Sequence, residues 1–239
     1  MLAEQTPMTW RPRATIALVL GVSLLNMLVS RIVRALAGGG APPLTVSLSL
    51  LATFVALYVV ELGTVAIVFR RLGVRMRDAL GLRAVAIPWR WIPIALVSAF
   101  AVRVVATAYA GIMLGAGLRL PGWNTDPTRF FPRDLLGTLV LVFVVVIAAP
   151  IAEEVVFRGV LLRTLVPRVG EGWAIALTSI VFAALHLNVF SFLPIAAVAY
   201  VLALLYLRSN SLWVSIAGHS AFNALGIVVV LLLRVKGGL

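Results

Sequence analysis

The sequence predicts an all-α fold, a polytopic membrane helical bundle with about seven transmembrane helices of about 20 residues each, and three observations carry that prediction. Of 239 residues, 62% are hydrophobic and 12% charged, at a mean hydropathy of +1.11, whereas soluble domains are roughly 45–50% apolar. The apolar residues fall in long runs. The breaks between the runs gather Gly, Pro and Arg, so the runs read as separate helices joined by short turns. No sizeable domain fits outside the membrane, which excludes a soluble enzyme with its own cofactor domain.

The charge balance is strongly basic, with 20 Lys and Arg against 8 Asp and Glu. Lys236 is the only Lys, and the Arg residues sit between apolar runs with no continuous basic face, so a nucleic-acid partner is not expected. With no Cys, disulfides, thiolate zinc sites, Cys nucleophiles and iron–sulfur clusters are excluded.

Residues 1–13 form a polar N-terminal tail ending in Arg11 and Arg13. The run from Ala14 to about Leu36 is too long for a signal peptide and lacks a small-residue cleavage site, so it reads as a retained first span. After the Gly38 to Pro43 turn comes a second span, Leu44 to Phe69. Residues 70 to 91 mix Arg with Leu, Val and Trp, the pattern of an amphipathic stretch lying on the membrane surface. A third span covers Ile92 to Leu118. Pro121, Pro127 and Pro132 with Trp123, Phe130 and Phe131 then predict an interfacial loop.

The fourth helix starts near Leu135 and runs to about Val166, where Pro167 and Gly170 stop it. Three more spans follow: Trp173 to Phe190, Phe192 to Leu207 and Leu212 to Leu233. With the N-terminus cytoplasmic, twelve basic residues fall on inside segments and seven outside, which favours that orientation. No internal repeat relates the two halves.

An ionisable side chain at the centre of a span costs about 2.5–3.5 kcal/mol on insertion scales, so each one needs a partner or a task. The residues concerned are Glu61, Arg103, Glu153, Glu154, Arg158, His186 and His219, with Asn26 and Asn223 as neutral companions. Glu61 and Arg103, near the middles of neighbouring spans, read as an interhelical ion pair, with a substrate or proton contact as the alternative. Asn26 reads as an interhelical hydrogen-bonding residue.

The second half concentrates its polar residues. At 1.5 Å of rise per residue, Glu153, His186 and His219 each lie about 10–12 Å inside the cytoplasmic boundary, in one layer. Residues four apart share a helical face, which pairs Glu154 with Arg158, Phe182 with His186, and His219 with Asn223. Glu153 is turned about 100° from Glu154 and is free to face the histidines. A carboxylate and a His around one water make a general-base site, and a second His with an Asn amide suits an oxyanion. That is machinery for amide hydrolysis.

Glu153-Glu154-x-x-x-Arg158, Phe182-x-x-x-His186 and His219-x-x-x-Asn223, in this order on successive apolar segments, resemble the three motifs of the CPBP intramembrane proteases. That family includes the CAAX prenyl endopeptidases and bacterial bacteriocin-processing, immunity and sorting relatives. The resemblance covers residues 135 to 233, the expected catalytic membrane core of four spans. Residues 14 to 134 form a variable N-terminal region of three spans, and 234 to 239 a C-terminal tail.

The resemblance implies an intramembrane endopeptidase with a cytoplasm-facing cavity and a membrane-associated protein or peptide as substrate. Carried over, Glu153 and His186 activate a water, and His219 with Asn223 stabilises the oxyanion. Glu154 and Arg158 support the site structurally, and Phe182 packs beside His186. No cofactor is expected; zinc held by Glu153, His186 and His219 is the minority reading, because the chain has no His-Glu-x-x-His helix. Prenylated C-terminal proteins, leader peptides and C-terminal anchor segments stay open as substrates, and composition points to a bacterial inner membrane. The competing readings are a catalytically silent membrane scaffold or immunity protein and, from another class, a small transporter using Glu61, Arg103 and Glu153 as a relay.

Overall fold

The computed structural model describes residues 42–71, 89–123 and 127–235, with further helical positions between 14 and 29 and single positions at 73, 75, 80 and 82. Asn26, much of the first expected span and most of the 70 to 91 connector lie outside the described residues. The described chain is helical throughout, in α1 (Pro43–Arg71), α2 (Trp91–Gly115), α3 (Leu135–Val169), α4 (Glu171–Leu185), α5 (Phe192–Ser209) and α6 (Leu212–Val235). Five of these, all but α4, are long and apolar enough to cross a membrane. The chain is an integral, multi-pass membrane protein.

The fifth expected span, Trp173 to Phe190, is where sequence and structure differ most. Helix α4 has 15 residues and extends about 22 Å at 1.5 Å per residue, short of a hydrocarbon core of about 30 Å. It stops because Leu187 takes a left-handed conformation (φ 49°). The Asn188 side chain then accepts from the Ser191 N–H at 2.9 Å and turns the chain into α5. His186 therefore caps a helix end instead of lying within a span.

Helix α3 is the axis of the bundle. Asp134 caps it, its carboxylate accepting the Gly137 N–H at 2.6 Å. A Cβ at Gly137 would collide with the Pro132 carbonyl. Asp134→Ala should cost about 1 kcal/mol, the usual worth of an N-cap, read as a lower unfolding midpoint in detergent. The helix continues to Val169, past the expected end near Val166, because Pro167 falls in its last turn; Gly170 (φ 81°) ends it.

Two π-helical turns, Phe143–Ala148 and Val155–Leu162, interrupt α3 on either side of Pro150 and the two glutamates. Pro lacks an N–H and crowds the carbonyl a turn before it, and wider turns relieve both demands. All eight residues of the second π turn are buried. They form a core with Val65 and Phe69 of α1, Phe182 of α4, Ala199, Ala203 and Tyr206 of α5, and Leu80.

Leu80 is a described residue of the connector that meets this core. It is fully buried and its side chain fills the space that the missing Cβ of Gly159 leaves open on α3. At least this part of the connector is pinned into the core. At the far end of α4 and α5, Glu171 and Arg208 form an exposed salt bridge of 2.8 Å, so these two helices run antiparallel with their charged ends together.

Candidate active site

The site is built on the middle of α3, the C-terminal end of α4 and the first half of α6. Glu154 and Arg158 are both buried, at 0% and 3% exposure, and meet at 2.7 Å. A second guanidinium nitrogen of Arg158 donates to the Ala199 carbonyl at 2.8 Å, tying α3 to α5. Burying two charges is tolerable only when they pair and find further hydrogen bonds.

Glu154 also does something that its pairing with Arg158 does not suggest. The oxygen that accepts from Arg158 also contacts His219 Nδ1, at 2.9 Å. A carboxylate can only accept, so Nδ1 carries the proton in this bond and Nε2 is the nitrogen turned to the site. Glu153 sits on that side, its Oε2 3.8 Å from His219 Nε2, with 27% of its side chain exposed. The adjacent glutamates thus face opposite nitrogens of one imidazole, and of the two only Glu153 is part-exposed.

Phe182 lies between the two histidines. Its ring centroid is 4.8 Å from that of His186 and 5.9 Å from that of His219, and it packs edge-on against Phe157 at 4.8 Å. The Arg158 guanidinium lies 5.0 Å from the same ring. His186 Nδ1 is 2.8 Å from the Phe182 carbonyl; since a carbonyl accepts, Nδ1 donates and Nε2 keeps its lone pair. His186 is an exposed residue at the end of α4.

Asn223 donates its side-chain N–H to the Val145 carbonyl at 2.9 Å, and the first π turn explains why that carbonyl is available. The Ala149 N–H reaches back to Val144, so the next donor in the π ladder, for Val145, would be Pro150, which has none. Asn223 supplies the missing bond and keeps a second N–H.

The structure brings Glu153, Glu154, Arg158, Phe182 and His219 together, sets His186 against Phe182, and locks Asn223 to α3. Among the described residues no group of three His, Asp or Glu is gathered as a metal-ligand set.

Glu61 and Arg103 behave differently from the expected ion pair. Arg103 donates to the Phe222 carbonyl of α6 at 2.6 Å with its guanidinium 3.7 Å from the Phe222 ring centroid. Glu61 is buried on the α1 face that also carries Tyr58 and Val65. The Arg found a carbonyl and an aromatic face on α6, with which α2 makes its most extensive contacts. Sequence reasoning missed Tyr58, which is buried one turn before Glu61 and within electrostatic reach of both Glu61 and Glu153. The only signal for it was that spacing.

Residues 135–225 match the family model for type II CAAX prenyl endopeptidase Rce1-like proteins. The matched segment is less than half of the chain. It contains every residue of the three motifs, from Glu153 to Asn223. The chain is similar to the Bacillus subtilis protein named "Putative membrane peptidase YdiL", at 27% identity over 110 residues, 46% of this chain and 45% of that protein. It is also similar to an Escherichia coli protein named "Uncharacterized 24.3 kDa protein", at 29% identity over 153 residues, 62% of this chain and 65% of that one. The matched regions thus span about half to two thirds of these relatives' lengths. No solved structure matches the chain.

Proposed function

We propose that this protein is an intramembrane endopeptidase that hydrolyses a peptide bond of a membrane-associated protein or peptide with a water activated by glutamate and histidine. The observation that carries the reading is the asymmetric use of the two glutamates. Glu154 is buried and fully engaged with Arg158 and His219, while Glu153 is part-exposed and faces the other His219 nitrogen. A buried carboxylate that orients an imidazole, beside a second one open to water, is an acid–base arrangement. A helix-gluing network gains nothing from the second carboxylate.

In the proposed reaction a water held by Glu153 and His186 Nε2 gives its proton to the Glu153 carboxylate as its oxygen attacks the scissile carbonyl carbon. With His219 taken as the imidazolium, flanked by Glu154 at Nδ1 and Glu153 at Nε2, the oxyanion accepts from its Nε2–H and from the second N–H of Asn223. Collapse of the intermediate breaks the C–N bond, and the proton held by Glu153 passes to the leaving amine. No step uses a metal. Arg distribution supports a cytoplasmic N-terminus and a site near the cytoplasmic face of a bacterial inner membrane.

Asn223→Ala tests the oxyanion assignment: purified protein cleaving membrane-inserted peptides should lose about 10²-fold in kcat, and wild-type cleavage should persist in EDTA. An unchanged rate removes Asn223 from the site. Cleavage that EDTA abolishes and zinc restores overturns the metal-free mechanism.

A further inference from the structure

Arg103 is a cation in the middle of a membrane-spanning helix, and neither of its contacts neutralises it. They are the Phe222 carbonyl at 2.6 Å and the Phe222 ring at 3.7 Å, and its buried Nε has no hydrogen-bond partner. Its guanidinium lies in a notch that exists because residue 226 is Gly: a Cβ there would stand 2.7 Å from one terminal nitrogen and 3.0 Å from Cζ. Gly226 is one turn beyond Phe222, so Arg103 grips two successive turns of one helix face. An apolar side chain would hold α2 against α6 without the cost of burying a charge.

The contact falls next to the candidate site. Phe222 directly precedes Asn223, and α6 is tied to α3 along the neighbouring strip of its surface through His219 to Glu154 at 2.9 Å and Asn223 to Val145 at 2.9 Å. A helix held on one side alone can rotate or slide, and a few tenths of a turn would move both site residues away from α3. We infer that Arg103 is a positioning residue that fixes the rotation of α6 from the α2 side, so that His219 and Asn223 are presented to the substrate carbonyl. This rests on the endopeptidase reading for its rate consequence but not for its geometry. Arg103 lies outside the matched segment, so this role would link the N-terminal helices to the site.

Arg103→Met keeps length and removes the buried charge, so it should fold as well as the wild type, and a purely structural Arg would then leave the rate unchanged. The expected result is a kcat lowered by about 10- to 10²-fold with KM within about two-fold. Gly226→Ala, which displaces the guanidinium, should give the same loss, and the double variant should be no worse than Arg103→Met alone.

Geometry is read separately in the chain's Cys-free background. A thiol placed by Ser220→Cys, beside His219, should change its rate of labelling by a small methanethiosulfonate at least several-fold in the Arg103→Met variant. A thiol placed by Trp173→Cys, on exposed α4 surface, should label at the same rate in both. Unchanged labelling at 220, or equal changes at 220 and 173, overturns the positioning role. If wild-type protein cleaves nothing while the labelling shifts as expected, the peptidase reading fails and the positioning of α6 stands.

Discussion

Glu153→Gln should remove peptide cleavage while leaving the protein folded at wild-type yield. Gln keeps the shape of Glu but cannot take a proton from water, and loss of a general base typically slows turnover about 10²- to 10⁴-fold. The geometry explains why folding is spared. The Glu153 side chain is part-exposed and its Oε2 is 3.8 Å from His219 Nε2, beyond hydrogen-bond distance, so neutralising it strands no buried partner. Peptide cleavage by the purified variant, beside its elution profile in size-exclusion chromatography, checks both halves. Full activity would reassign the base.

Arg158→Ala should have the largest effect on stability of any single change in the site. It leaves Glu154, at 0% exposure, as a buried carboxylate without its cation, and it removes the Arg158 bond to the Ala199 carbonyl that ties α3 to α5. Removing one partner of a buried ion pair typically costs about 3–5 kcal/mol. The expected result is a protein that accumulates poorly and unfolds at a markedly lower temperature in detergent. Arg158→Lys should restore only part, because one ammonium replaces a planar fork that reaches Glu154 and Ala199 in different directions. Wild-type stability for Arg158→Ala would mean that Glu154 is held by other groups.

Much of this arrangement was legible in the sequence because helical spacing is a geometric constraint. Glu154 and Arg158, or His219 and Asn223, share a face in any helix, and apolar runs of this length are spans in any order of packing. What spacing cannot give is the partner across helices. That Glu154 serves His219 as well as Arg158, and that Arg103 turns to Phe222 rather than to Glu61, depends on how α2, α3 and α6 rotate against one another. The end of α4 was missed for a similar reason. Leu187 has no residue type that favours a left-handed backbone, and only the Asn188 turn to Ser191 shows why the chain reverses there. The π turns of α3 were half legible: Pro150 marks a disturbed helix, but not that the carbonyl it leaves without a donor would be taken by Asn223.

Whether Glu153 serves peptide-bond hydrolysis is decided in whole membranes. Protein termini are compared by mass spectrometry between cells carrying the wild type and cells carrying Glu153→Gln at equal abundance. A set of new termini, on membrane-associated proteins, should be present with the wild type and missing with the variant. The same termini in both, with the wild type folded and abundant, would contradict that role and leave the polar cluster as a silent scaffold.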